Sequence, residues 1–135
     1  MYYFETQLRP RYSETDQMGV VYYGNYPAYY EVARNDSMRD LGTSYSELEA
    51  RGVGLPVREM HIEYKRPARY DELLTIKMWL VEMPATKLQH RYEIYNERGE
   101  LLNKGTTTLV FVDMTTMKPC RCPEWFAALF RPYFA

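Results

Sequence analysis

A chain of 135 residues with a formal net charge of −1 is one domain by length, long enough to bury a core without disulfide or metal staples. The charge balance gives no reason to expect nucleic acid or an anionic membrane as main partner, since both select for a strong basic excess. The first residues, MYYFETQLRPRYSE, lack the apolar core of a signal peptide, and no stretch approaches the roughly twenty apolar residues of a spanning helix, so a cytoplasmic protein without membrane insertion is expected.

Tyr3 to Arg11 alternates, with Phe4, Thr6 and Leu8 on one side and Glu5, Gln7 and Arg9 on the other, the period of a strand on a core. Pro10 puts its end at an edge or bend. Asp16 follows, then Gly19, the run Val20, Val21, Tyr22, Tyr23, and Gly24-Asn25-Tyr26-Pro27. Asn25 reads as an N-cap and Pro27 suits a first turn, where backbone N–H groups have no partner. A helix is therefore expected over Tyr26 to Leu41, stopped by Gly42. Tyr26, Tyr29, Tyr30, Ala33, Ser37 and Leu41 recur at helical spacing, with Val32 and Met38 widening the apolar surface. So aromatic a helix should be enclosed on most sides. Glu31, Arg34, Asp36, Arg39 and Asp40 form its polar remainder, and Glu31 needs a partner or water if buried.

The segment TSYSELEARG reads as a second, short helix, with Ser46 and Glu49 in capping-box spacing and Gly52 as its stop. Four strand-like runs follow: Leu55 to Arg66, interrupted by Pro67; Leu73 to Val81, closed by Pro84; Leu88 to Tyr95; and Leu101 to Met114. Asn96-Glu97-Arg98-Gly99 makes a hairpin turn between the last two. Pro123 to Phe130 reads as a terminal amphipathic helix. Strands in hairpin succession pair as an antiparallel sheet, and only the Tyr26 to Leu41 helix is apolar enough to cover its inner face. The expected fold is α+β, a sheet wrapped around one central helix, with the first strand joining the sheet away from its sequence neighbour.

The chemistry concentrates where Asp16 meets the helix start. A helix N-terminus carries unpaired N–H donors and about half a positive charge, which favours negative charge forming beside it, as on the oxygen of an acyl-transfer intermediate. Asp16, a glycine turn upstream, can supply the nucleophile or the general base. Taken alone, an aspartate before a glycine is a turn residue; beside an aromatic helix start and within the family-like signature quoted below, catalysis is the better reading. Most of Tyr22, Tyr23, Tyr26, Tyr29 and Tyr30 should be core, with one or two left to line a pocket. His61 and His90 sit in strands without a nearby nucleophile and read as structural or surface residues. Lys65, Arg66 and Arg69 form a basic cluster that suits a solvated edge, or the phosphates of a nucleotide. Cys120 and Cys122, one residue apart, show no zinc spacing with the histidines and read as reduced thiols. No GxSxG elbow or phosphate loop is present.

The stretch ETDQMGVVYYGNYPAYYEVARND resembles the signature of hot-dog-fold acyl-CoA thioesterases of the 4-hydroxybenzoyl-CoA thioesterase type. Tyr64 with Pro67-Ala68 and Tyr70-Asp71-Glu72, and Val112-Asp113 with Lys118-Pro119, extend the resemblance over nearly the whole chain as a single hot-dog domain, 1–135. The resemblance implies hydrolysis of a thioester R–CO–S–CoA to free acid and coenzyme A, without metal or redox cofactor. The aspartate matched by Asp16 attacks the carbonyl or activates water, and the backbone N–H matched by Tyr23 binds the thioester oxygen. It implies coenzyme A contacts at Thr86, Lys87 and Arg121, and a homo-oligomer, dimer or tetramer, with sites at subunit boundaries. Two other functions stay open: hydrolysis of acyl groups on a carrier protein, and non-catalytic acyl-CoA binding.

Overall fold

The computed structural model describes residues Met1–Ala135. Strand β1 (Tyr2–Leu8) turns Tyr2, Phe4, Thr6 and Leu8 inward, as its alternation requires. A 3₁₀ turn at Tyr12–Glu14 and the Asp16 loop lead to a second 3₁₀ turn, Tyr23–Asn25, which runs directly into helix α1 (Tyr26–Asp40). Asn25 is not the expected cap. Its backbone is already helical at φ −89°, ψ −16°, and its side-chain Nδ2 instead donates to the carbonyl of Glu14 at 2.8 Å.

The helix ends where glycine predicted. Gly42 adopts φ +88°, Gly42 N–H donates to the Arg39 carbonyl, and Thr43 N–H reaches back to the Met38 carbonyl at 2.9 Å, a Schellman closure. Helix α2 (Tyr45–Ala50) starts two residues earlier in register than expected: Ser44 is its cap, accepting from Glu47 N–H at 3.0 Å. The capping-box pair is thus not Ser46 with Glu49, because Ser44 is the residue with extended backbone.

The remaining elements are β2 (Val53–Gly54), β3 (Val57–Tyr64), β4 (Leu74–Leu80), β5 (Lys87–Tyr95), β6 (Leu101–Val110), β7 (Val112–Asp113) and α3 (Glu124–Phe130). The expected strand Leu101 to Met114 breaks into β6 and β7, and β7 leaves to pair with β2. The five-stranded antiparallel sheet has the order β1-β4-β5-β6-β3. β3 therefore does not form a hairpin with β4. It crosses to the far edge and pairs with β6, Met60 facing Thr107 and Tyr64 facing Asn103. β1 joins β4 at the opposite edge, away from its neighbours in the chain.

Helix α1 fills the concave side of this sheet, burying Tyr26, Tyr29, Tyr30, Ala33, Ser37 and Met38 against Ile76, Met78, Tyr92, Leu102 and their neighbours. Its enclosure is one-sided: Glu31, Val32, Arg39 and Asp40 stay exposed, and Glu31 needs no buried partner. Tyr30 lies flat on Tyr92, centroids 4.2 Å apart and planes 3° from parallel, and donates to Asn103 Oδ1 at 2.6 Å. That close approach requires a glycine opposite. A Cβ on Gly105 would sit 2.6 Å from the His61 carbonyl and 2.8 Å from the Tyr30 ring.

Candidate active site

The Asp16 loop is tied to the start of α1 by Glu14. Its carbonyl accepts from Tyr22 N–H at 2.9 Å as well as from Asn25, and its carboxylate accepts from Tyr29 on the next helical turn at 2.9 Å. Gly19, at φ +78°, turns the chain between Asp16 and Val20, whose backbones bond at 2.9 Å. Asp16 itself is half-buried. Its Oδ1 accepts from Met18 N–H at 2.8 Å, so the turn role that its sequence setting offered is filled by one oxygen. Oδ2 is left free.

The 3₁₀ turn ahead of α1 shapes the other half. Asn25 N–H returns to the Tyr22 carbonyl, whereas the N–H groups of Tyr23 and Gly24, first in the turn, have no acceptor in the chain. Open donors at the head of a helix are the expected consequence of its geometry. Asp16 and Tyr23 line one cleft of about 310 Å³ together with Met18, Val21, Tyr64 and Lys65. Tyr64 belongs to β3 and donates to the Tyr23 carbonyl at 3.3 Å, which fastens the sheet edge to the helix mouth. Tyr22 and Tyr23 are about half exposed, at 48% and 62%, and are not core. Tyr26, Tyr29 and Tyr30 are.

Of the basic cluster, Lys65 and Arg66 reach this cleft, paired in part with Glu63 at 3.8 Å and Glu100 at 3.5 Å. Thr86, Lys87 and Arg121 do not. Lys87 faces Val110 at the other end of β5, and Arg121 stands beside Thr86 because Cys122 N–H bonds the Ala85 carbonyl at 2.6 Å. Tyr64 faces Asn103 and Asn103 faces Ile94, seven residues from Lys87 along β5, or about 23 Å at strand rise. Within one chain the two groups lie at opposite ends of the sheet.

His61 is a surface residue on β3 and His90 a core residue on β5. The two cysteines are free thiols; burial pushes that of Cys122 up to about 12. No helix is long and apolar enough to cross a membrane. Sequence reasoning missed Arg34. Counted among the polar positions of the helix, it is 5% exposed and donates from Nη1 to the Tyr92 hydroxyl at 3.0 Å. The one signal available was its spacing, four residues after Tyr30 and three before Ser37, on the face those residues bury.

One long helix cradled by an antiparallel sheet, with a carboxylate loop folded against the helix mouth, is a hot-dog fold. The Thioesterase-like superfamily model matches residues 10–130, and the chain belongs to that superfamily, a group of thioester-cleaving enzymes. Relatives span nearly its whole length. YneP of Bacillus subtilis (strain 168) is 38% identical over 132 residues, covering 95% of this chain and 96% of that protein. Acyl-CoA thioester hydrolase YbgC of Escherichia coli O6:H1 is 38% identical over 128 residues, with the same coverage of 95% and 96%. Among solved structures, the DHNA-CoA thioesterase of Staphylococcus aureus superposes with a TM-score of 0.90 at 38% identity, covering 99% of this chain and 90% of that one.

Proposed function

We propose that the chain hydrolyses an acyl-CoA thioester to a free acid and coenzyme A, with Asp16 as the reacting carboxylate and Tyr23 N–H as the donor to the thioester carbonyl. What supports this is the shared cleft: a carboxylate with one free oxygen and a helix mouth with unused donors line the same space. The names of YbgC and of the staphylococcal enzyme supply the acyl-CoA class.

With the carbonyl oxygen on the Tyr23 N–H, negative charge forming there is met by a main-chain donor and by the helix dipole. Asp16 Oδ2 then acts in one of two balanced ways. As nucleophile it bonds to the carbonyl carbon while the C–S bond breaks, giving an anhydride that water opens. As general base it takes a proton from water as the water oxygen adds to that carbon, and the proton passes to the departing sulfur. Either route sums to thioester plus water giving acid plus thiol.

The nucleotide end of coenzyme A belongs, in this proposal, to Thr86, Lys87 and Arg121 of a second copy. The two copies pair antiparallel along β3, so that the Tyr64 end of one strand meets the Val57 end of the other and the ~23 Å separation within a chain closes between chains. β3 supports this by being exposed on both faces, with Val57, Met60 and Tyr64 among its large apolar residues.

The test is Asp16→Asn, assayed by thiol release over short, long and aromatic acyl-CoAs beside the unaltered protein. A fall in kcat of about a thousandfold with an unchanged unfolding midpoint is expected, as for loss of a chemical group rather than of binding. Near-normal hydrolysis by the folded variant removes Asp16 from the reaction.

A further inference from the structure

Asn25 occupies the cap position of α1 and caps nothing. Its backbone is helical and no N–H of the helix donates to its side chain. The amide turns back instead, Nδ2 donating to the Glu14 carbonyl at 2.8 Å. That carbonyl also accepts from Tyr22 N–H at 2.9 Å, so its lone pairs are filled by a donor just before Tyr23 and Gly24 and a donor just after them. The two idle N–H groups are thus bracketed by bonds to a single acceptor, and that acceptor stands two residues ahead of Asp16.

Little else holds the carboxylate loop at this distance. It is a small hairpin with Thr15 opposite Val21, joined by the bonds from Asp16 N–H to the Val20 carbonyl and from Tyr22 N–H to the Glu14 carbonyl, and a two-stranded hairpin is marginal on its own. The returning arm is tied to the rest of the molecule, Val20 facing Arg69 and Val21 N–H bonding the Ala68 carbonyl at 2.8 Å. The outgoing arm, which carries Asp16, is hydrogen-bonded to the helix and its leading turn through Glu14 alone: the carbonyl takes Tyr22 and Asn25, and the carboxylate takes the Tyr29 hydroxyl at 2.9 Å.

We propose that Asn25 is a positioning residue for thioester hydrolysis, its side-chain N–H setting the separation between the Asp16 carboxylate and the free donors of Tyr23 and Gly24. The inference rests on the thioesterase reading above and adds to it a residue that lies outside the cleft lining. A carbonyl held on one side and attacked from the other tolerates little displacement, since about 1 Å of misplacement costs up to about a hundredfold in rate. Releasing the loop from the turn alters that geometry and leaves the walls that bind the substrate as they were, so the loss falls on kcat and not on KM.

The experiment compares Asn25→Asp and Asn25→Ala with the unaltered protein by thiol release from acetyl-, decanoyl- and benzoyl-CoA, with urea unfolding of each variant alongside. Aspartate matches asparagine in size and caps a helix as well, but its carboxylate has no N–H to give the Glu14 carbonyl. Both variants should lose about tenfold to a hundredfold in kcat with KM within about threefold of the parent, and Asn25→Asp should keep the parent's unfolding midpoint. If the residue serves only to start the helix, Asn25→Asp retains the parent's kcat, which overturns the inference. A fall in kcat confined to Asn25→Asp assigns the effect to its new charge and overturns it too, as does a change in KM or midpoint with kcat kept. If Asn25→Ala fails to fold, Asn25→Asp and Asn25→Ser carry the comparison, the serine hydroxyl being a shorter donor that should recover part of the rate. Failure of this inference alone leaves Asp16→Asn inactive, whereas no thiol release by the unaltered protein from any of the three thioesters sinks the thioesterase reading and this inference with it.

Discussion

His90 faces the core from β5, 5% exposed, with its Nδ1 unpartnered and the Arg34 charge nearby. Burial first, and the guanidinium second, hold its imidazole down to about 3, so it is neutral throughout the physiological range. The unfolded chain binds a proton at His90 near 6.5 that the folded chain refuses until about 3. Folding stability therefore falls as the pH drops through that window, by an amount on the order of 5 kcal/mol when the window has been crossed. Urea unfolding at pH 7, 5 and 4 should show a shallower acid loss in His90→Asn than in the unaltered chain. Parallel losses would mean that carboxylates alone set the acid limit. The exposed pairs at Glu63, Glu100 and Glu124 are common to both proteins and cancel in the comparison.

Among the elements, β6 carries the tightest constraint. Gly105 lets Tyr30 reach Asn103 and lie on Tyr92, and any Cβ there meets the backbone of β3, which cannot swing aside as a side chain does. Gly105→Ala should destabilise by about 2 kcal/mol or more through overpacking, read as a lowered denaturant midpoint with unchanged slope. A neutral result would mean that the helix can lift from the sheet without loss. The elements that alternate or end on glycine were legible in the sequence: β1 and β5 show period two, and Gly42 and Gly52 stop α1 and α2. β3 was legible as a strand but not in its place. Exposed on both faces, it alternates only in part, and its partner β6 is some forty to fifty residues away, so local order suggested a hairpin with β4 that does not form. The burial of Arg34 was hidden for a different reason, since a charged residue on a helix is counted outward unless its neighbours are weighed. The nearness of Asp16 to Tyr23 could be read from the short, glycine-turned loop between them. The distance of Thr86, Lys87 and Arg121 from both could not, because it depends on which strands are neighbours.

For the molecule as a whole, the sheet ends at β3 with an unpaired row of backbone groups. Lys65 N–H bonds the Leu102 carbonyl of β6, so by alternation the N–H groups of Met60, Ile62 and Tyr64 point away from the sheet. A long edge with exposed Val57, Met60 and Tyr64 invites another strand. Met60→Pro removes one outward donor and no bond within the chain. If two copies share this edge, the variant should run at half the mass of the parent dimer in light scattering and lose thiol release with it. An unaltered mass would move the contact elsewhere on the surface.

The free donors at the head of α1 belong to the main chain, and that has a consequence for how such a protein diversifies. Replacing Tyr23 alters the shape and polarity of the cleft wall, yet every residue except proline brings the same N–H to the same place. If the carbonyl is held as proposed, mutational drift at this position retunes which acyl group is accepted without erasing the main-chain N–H that would hold it, so selectivity and chemistry would be inherited separately.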